Sequence, residues 1–376
     1  MTNNTNTTKD KKMKLAIIGA STGQLPLTLK AKELGHTVIS FAWDNGAVCK
    51  EYVDKFYPIS VLEKDKIVEV CRQEGVQGVV SNASDLTSEI AAYVASQLGL
   101  NANDYQKFQD LRDKAKVRAL TDGIPNLCQV KSILYKEGAK VEFPCIVKPT
   151  VGSSKKGVSF VSNEEELKEA VSYAQEDKDA VILIEKFVGT REFSVESISY
   201  KGKHYVIQMT DKENDGAPHF VELSHHQPAD LSENVKTKLR QIVPEILNRV
   251  GLTNGASHIE MKIDQDENIY MIELNPRGGG DQFSTLIRES VGYDYLKGMI
   301  DVALGIFEEP KLSHKNYSGI YFICKQRENR LKYFLEKQPW EIARSYDPNK
   351  ELVYATDNYT RGGYIIYKAD KKIVID

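Results

Sequence analysis

The stretch Ser257–Arg277 reads SHIEMKIDQDENIYMIELNPR. Two runs of alternating apolar and polar residues flank the polar turn DQDEN, which is the pattern of a β-hairpin. Side chains alternate faces along a strand. In the first run Ile259, Met261 and Ile263 take one face, and His258, Glu260 and Lys262 take the other. In the second run Tyr270, Ile272 and Leu274 share a face, and Met271, Glu273 and Asn275 share the opposite one. If the runs pair through the turn, Glu260 and Glu273 meet on one side of the sheet. Two carboxylates and an amide oxygen on one surface suit Mg²⁺, which takes few protein oxygens and completes its shell with water and phosphate. Arg277 follows at the strand end, placed for a planar anion. The same alternation also fits a half-exposed hairpin with a polar outer face, so its meaning depends on the rest of the chain.

Upstream, Phe143–Val161 reads FPCIVKPTVGSSKKGVSFV. Lys148 ends a strand-like run, and Gly152 and Gly157 bracket Ser153, Ser154, Lys155 and Lys156. Backbone N–H groups of a glycine loop can wrap phosphate oxygens while a lysine supplies point charge. The Walker pattern is not matched, and an exposed basic turn has the same composition. Next comes LIEKFVGTREFSVE, Leu183–Glu196. It offers backbone groups of Lys186 and Val188 to a base edge. Glu185 and Glu192 offer carboxylates to an exocyclic amine or to ribose hydroxyls. The stretch Thr210–Pro228, TDKENDGAPHFVELSHHQP, reads as a polar loop carrying Lys212, His225 and His226.

Toward the N-terminus, Lys14–Phe41 reads KLAIIGASTGQLPLTLKAKELGHTVISF. Apolar runs and helical stretches alternate here and continue to about Asp110, which implies a parallel α/β sheet. The turn GASTGQ lacks the spacing G-x-G-x-x-G of a dinucleotide site. Ser84 and Asp85, at a strand end, either edge a pocket or cap the next helix. Beyond Arg112, hairpins and helices mix as in an α+β domain, and the last ~75 residues read as mostly β. Residues 1–12 read as a disordered polar leader, 13–112 as the α/β domain, 113–184 as a small lobe, 185–300 as a large lobe and 301–376 as a closing β segment packed on the large lobe.

The 376 residues carry a net charge of −3 and are 41% hydrophobic and 27% charged. That balance supports sizeable cores and gives no basic surface for nucleic acid. The five cysteines are widely spaced without a C-x-x-C, the usage of reduced thiols in a cytoplasmic protein. No apolar run approaches the ~20 residues needed to span a membrane.

Taken in order, these pieces resemble the ATP-grasp superfamily, and within it the carboxylate–amine ligase branch that includes the L-amino acid ligases. The matching motifs run from Met13 to about Gly305. The resemblance implies an ATP-grasp fold, α/β plus α+β, behind an N-terminal parallel α/β (pre-ATP-grasp) domain, with ATP and Mg²⁺ (Mn²⁺ as an alternative) as cofactors. It implies Lys114 and Lys148 as the two phosphate lysines, and Ser153, Ser154 and Gly157 in the mobile phosphate loop. Glu185 with the backbone of Phe187 and Val188 would form the adenine hinge, and Glu192 would be the ribose acid. Glu260, Glu273 and Asn275 would hold the metal, followed by Arg277 at the reaction centre. Lys212 and His225 would approach the phosphates and the acyl acceptor, and His258 would touch substrate or simply satisfy the sheet face. The implied reaction is attack of a carboxylate on the γ-phosphate, then displacement of phosphate by an amine. Its partners are a small-molecule carboxylate and an amine, and members of the superfamily are often homodimers. The rival readings are a bicarbonate-using ATP-grasp carboxylase, a non-catalytic nucleotide-binding protein on the same scaffold, and a dinucleotide oxidoreductase built on the first domain.

Overall fold

The computed structural model describes residues 12–152, 156–175, 179–349 and 351–375. Ser153 and Ser154 of the phosphate-loop reading, and all of the polar leader but Lys12, lie outside the described residues. The chain forms two compact units. One runs to Tyr105 and takes in Leu296–Glu308; the other holds Gln106–Tyr295 and Glu309 onward.

In the first unit, β1 (Lys14–Ile18), β2 (Thr37–Phe41), β3 (Lys55–Tyr57) and β4 (Gly78–Val80) form a parallel sheet in the order β3-β2-β1-β4. Helix α1 (Leu25–Glu33) connects β1 to β2, α2 (Lys64–Glu74) connects β3 to β4, and α3 (Asp85–Gln97) follows β4. Strands covered on both faces need apolar residues at every position, which is why Leu15–Ile18 is a continuous buried run. Ser84 caps α3, its side chain accepting from Thr87 N–H; of the two readings left open for it, this is the cap. Residues 296–308 belong with this unit, whereas the sequence division splits them between the large lobe and the closing segment. A side chain at Gly78 would strike Leu304 Cδ2 at 2.8 Å and Ala303 O at 2.9 Å. The returning segment therefore depends on a glycine more than two hundred residues earlier, a dependence no local pattern carries.

The second unit begins with α4 (Tyr105–Asp110), α5 (Lys114–Leu120) and the short β5 (Leu127–Cys128). Asp113 caps α5 by accepting from Ala115 and Lys116 N–H, which places Lys114 at the first helical position. Strands β6 (Ser132–Leu134), β7 (Cys145–Pro149), β8 (Ser159–Val161) and β9 (Ile182–Lys186) make an antiparallel sheet in the order β6-β9-β7-β8. Helix α6 (Glu164–Ala174) packs on it through Leu167, Ala170, Val171 and Ala174. Asn163 caps α6, and three glutamates in its first turn oppose the helix dipole.

The large sheet is built on β10 (Arg191–Tyr200), β11 (Lys203–Asn214), β12 (Glu222–Gln227), β13 (Gly255–Ile263) and β14 (Ile269–Asn275). Helix α7 (Glu233–Arg249) separates the two hairpins; α8 (Phe283–Val291) and α9 (Tyr295–Leu304) follow them. Strand β15 (Tyr317–Ile323), helix α10 (Leu331–Leu335), β16 (Glu341–Tyr346) and β17 (Gly363–Ala369) complete the chain. The sheet order is β16-β17-β15-β12-β11-β10-β13-β14-β5, so the closing segment extends the same sheet. One expectation fails here: His225 and His226 do not lie in a polar loop. They sit in β12, paired with β11 and β15 and essentially fully buried. His226 finds partners inside the sheet in Tyr367 and Ser224, and a composition-based reading takes such polar residues for exposed ones.

Candidate functional site

A cleft of about 1040 Å³, counting its solvent-open part, lies between the two sheets of the second unit. Across the β13–β14 hairpin Glu260 sits directly opposite Glu273, and His258 opposite Asn275, and both glutamates line the cleft. Strict alternation fails next to them. A register shift after Glu260 leaves Ile272 as the extra residue, and Ile272 and Glu273 both face the cleft.

Lys212 ends in a cage of carboxylates. Its Nζ is 2.6 Å from Glu260 Oε1, 2.6 Å from Glu222 Oε1 and 3.2 Å from Glu192 Oε1. Burial alone would push this ammonium down, but the three acids hold its pKa well above the ordinary lysine value. Burial likewise works against the Glu260 carboxylate, and Lys212 and His258 overcome it, holding Glu260 well below the usual range. Glu192, Glu222 and Glu260 bring oxygens within 4.8 Å of one another, a set able to hold a cation. This set shares Glu260 with the expected Glu260, Glu273 and Asn275 and adds Glu222, which the sequence reading missed.

On the facing sheet, Lys148 Nζ is 2.6 Å from Glu185 Oε2, and Arg118 Nε donates to Glu185 Oε1 at 2.7 Å. All three are buried. Burial would raise the Glu185 pKa, yet Lys148 and Arg118 bring it to about 2; burial in turn lowers the Lys148 pKa. Arg118 also donates to Ile272 O at 2.7 Å, tying α5 to β14. It was legible in principle, lying four residues after Lys114 on one helix face. Lys114 Nζ donates to Gly152 O at 3.0 Å and lies 3.4 Å from Glu273 Oε1.

His258 Nδ1–H donates to Glu196 Oε1 at 2.7 Å, and its Nε2 is 3.5 Å from Glu260 Oε1. Desolvation would lower this imidazole, but the two glutamates raise it to about 9. His225 Nε2 lies 3.2 Å from Glu222 Oε2 and 3.5 Å from Asp281 Oδ2 without an aligned hydrogen bond to either. Burial opposes its charge and the acids favour it, with a net rise. Asp281 is in turn gripped by Arg361 through two hydrogen bonds, 3.1 and 2.5 Å. Arg277 Nη1 donates to Gly278 O at 3.1 Å.

Glu185, Phe187, Val188 and Glu192 line the cleft together with Lys114, Lys148, Glu260 and Glu273. Lys212 and His258 reach the cleft residue Glu260, and Arg277 Nη2 lies 3.5 Å from Asn275 Oδ1. Phe187 N–H donates to Pro144 O at 3.0 Å. Gly157 adopts φ +73 and packs on Pro149, where a Cβ would come within 3.1 Å of Cδ.

Residues 141–286 match the ATP-grasp domain family. The chain is 29% identical over 226 residues to the carbamoyl phosphate synthase large chain of Clostridium botulinum, covering 58% of this chain and 20% of that protein. It is 26% identical over 271 residues to the alanine–anticapsin ligase of Bacillus amyloliquefaciens, covering 63% of this chain and 56% of that one. The chain thus spans about a fifth of the first relative's length and just over half of the second's. Its fold is similar to that of an L-amino acid ligase from Bacillus licheniformis, with a TM-score of 0.78, 22% identity, and 96% of this chain and 94% of that one covered. It is also similar to that of a phosphoribosylglycinamide synthetase from Anaerococcus prevotii, with a TM-score of 0.76, 20% identity, and 96% and 95% covered. The cleft, its lysines and its opposed glutamates therefore lie in a fold similar to those of these ligases, and residues 141–286 match the ATP-grasp domain family.

Proposed function

We propose that this protein is an ATP-dependent ligase that joins a small carboxylate to an amine. The intermediate is an acylphosphate, and the products are an amide or peptide bond, ADP and phosphate. The observation that carries this reading is the sharing of one cleft by Glu260 and Glu273, opposed across a hairpin, with Lys114 and Lys148. Two anions must meet in such a reaction, so cancelling charge is the main task. Lys114 and Lys148 neutralise phosphate oxygens. Lys186 C=O and Val188 N–H receive the base edge, and Glu192 receives the ribose hydroxyls. Arg277 stabilises charge developing at the transferred group. His258, held by Glu196, fixes the orientation of Glu260.

Two carboxylates and one amide oxygen are hard donors that fit Mg²⁺ or Mn²⁺, so Glu260, Glu273 and Asn275 are the residues that would hold it. When bound, the ion supplies positive charge at phosphate oxygens. Glu222 links this region to His225 and Asp281, which supports a role for His225 beside the acyl acceptor. Among the described residues no helix is long and apolar enough to cross a membrane, and the five cysteines are free thiols. Both fit a cytoplasmic enzyme.

The test is phosphate release with ATP and Mg²⁺ against a matrix of carboxylic acids and amines, including bicarbonate alone, with Glu273→Gln as control. Release that needs both an acid and an amine, and is lost in the control, supports the ligase. Release with bicarbonate alone would replace it by a carboxylase. That arm is included because carboxyaminoimidazole synthetases and biotin carboxylases share this fold.

A further inference from the structure

His225 sits at the centre of a cluster whose three groups come from two distant parts of the chain. Its side chain is fully buried, and neither ring nitrogen has an aligned hydrogen-bond partner. Buried polar groups are paired in nearly all folded proteins, so an imidazole in this state points to a use other than packing. Its Nε2 faces two carboxylates. Glu222 Oε2 of β12 is 3.2 Å away, and Asp281 Oδ2, from the turn before α8, is 3.5 Å away. One donor atom from each of the three residues lies within 4.8 Å of the other two. Two ligands about 2.0–2.2 Å from a tetrahedral ion stand roughly 3.3–3.6 Å apart, so these separations are close to those of a coordination shell.

The backbone is shaped to bring the three together. Residues three apart on a regular strand point to opposite faces. Here Asn214 pairs with Glu222 and Glu213 with Ser224, which makes Leu223 the extra residue of a bulge and turns Glu222 to the face of His225. Asp281 sits at φ +39 and Gln282 at φ +64, conformations that non-glycine residues hold only when their surroundings impose them. Each carboxylate is also fixed from behind. Lys212 Nζ takes Glu222 Oε1 at 2.6 Å, which leaves Oε2 toward His225. Arg361 donates to both oxygens of Asp281, at 3.1 and 2.5 Å, and lies over the Phe322 ring, 3.6 Å from its centre. The rings of Phe283 and Phe322 flank the imidazole at 5.0 and 5.3 Å. Outer partners that orient the ligands, with an apolar surround, are the features that tune a metal site.

We propose that Glu222, His225 and Asp281 form a second metal site, selective for a divalent transition ion of the zinc class. One imidazole nitrogen with two carboxylate oxygens is a donor set that zinc takes readily, whereas Mg²⁺ prefers oxygen alone. The site shares no ligand with Glu260, Glu273 and Asn275, the residues that would hold Mg²⁺. Three protein donors leave a fourth position for water or a substrate group. The inference stands apart from the nucleotide reading, because binding of the ion needs neither ATP nor turnover.

The test uses the full chain in excess Mg²⁺, with Zn²⁺ titrated by calorimetry and Co²⁺ followed by visible absorption. The wild type should take up one tightly held Zn²⁺ per chain, and Co²⁺ should show the strong bands of a four- or five-coordinate ion. His225→Gln and Asp281→Asn should each weaken Zn²⁺ at least about a hundredfold and abolish the bands. Asp281 is half-buried, so Asp281→Asn guards against a His225→Gln chain that merely fails to fold. Arg361→Met keeps all three ligands and should weaken Zn²⁺ by roughly 10- to 100-fold, with Arg361→Lys recovering part of the loss. Glu273→Gln should bind Zn²⁺ within about twofold of wild type. A wild type that takes up no Zn²⁺ overturns the inference. So does an affinity unchanged in His225→Gln, which places the ion elsewhere. Loss of the ion in Glu273→Gln would assign it to the hairpin carboxylates and overturn the inference as well. In each of these cases the nucleotide reading stands, since phosphate release from ATP is measured with Mg²⁺ alone.

Discussion

Two strand-to-loop junctions in this chain look alike on paper and behave differently. In the first unit the turn after β1 carries Gly19, Ser21, Gly23 and Gln24. Its polar groups are spent on one another. Gln24 Oε1 accepts from Ser21 N–H at 3.1 Å and from Ser21 Oγ at 2.7 Å, and Gln24 Nε2 donates to Asn82 O at 2.6 Å. Gly23 N–H donates to Ser21 Oγ at 3.3 Å, and Gln24 N–H to Ser21 O at 3.1 Å. The N–H groups of Gly19, Ser21, Gly23 and Gln24 are all taken, and Gln24 covers Gly19 so closely that a Cβ there would be 2.9 Å from Oε1. The junction after β7 in the second unit is the opposite case. Lys148, Lys114, Glu185 and Glu273 converge there, with charges balanced between elements rather than within a turn. A scaffold turn closes on itself, whereas a site keeps like charges close together and must draw counter-charges from elsewhere in the fold.

Substitutions can break or sharpen that contrast. The largest effect is expected in the second unit: Lys148→Ala or Arg277→Ala should keep a folded circular-dichroism spectrum and lose phosphate release by at least about a hundredfold. Near-normal turnover in either would show that the converging charges serve stability alone. In the first unit Gly19→Ala should cost roughly 1–3 kcal/mol in urea unfolding, because φ is +89 and Gln24 occupies the space. ATP affinity should not change, and a change would make this turn part of the site.

Acid titration sharpens the comparison further. Glu185 has a folded pKa of about 2 against an ordinary 4.5. A depressed carboxylate stabilises the fold above its unfolded value and loses that contribution as pH falls through its folded value. Stability should therefore decline between pH 4.5 and about 2, and Glu185→Gln should flatten that part of the curve. The smallest effect is expected for Gln24→Ala, about 1–2 kcal/mol of stability from the lost hydrogen bonds, again with unchanged ATP affinity.

Much of the fold was legible because local rules and tertiary structure agreed. The β13–β14 hairpin with Glu260 opposite Glu273 and the parallel sheet of the first unit follow from period and turn composition. The misses have identifiable causes. Strand β12 was hidden because buried polar residues mimic a loop. His226 Nδ1 meets the Tyr367 hydroxyl at 2.9 Å across 141 residues of sequence, and no local window contains that partner. Glu222 was hidden for the same reason, since it gains its role only from the Lys212 ammonium on another strand. Lys262 was placed on the correct face and left without a role, because its partners Val188 and Phe220 come from elsewhere in the chain.

The sequence by itself determined the β13–β14 hairpin, the alternation of strands and helices in the first unit, and the order of motifs that resembles an ATP-grasp protein. These depend on periodicity and on neighbours a few residues apart, so they are written locally. Only the tertiary structure decided which charges neutralise which. Lys212 stands within hydrogen-bond reach of carboxylates on three strands, and Phe187 N–H donates to Pro144 O. Electrostatic and packing partners are set by distance in space, and a chain brings distant residues together only when the whole sheet has formed.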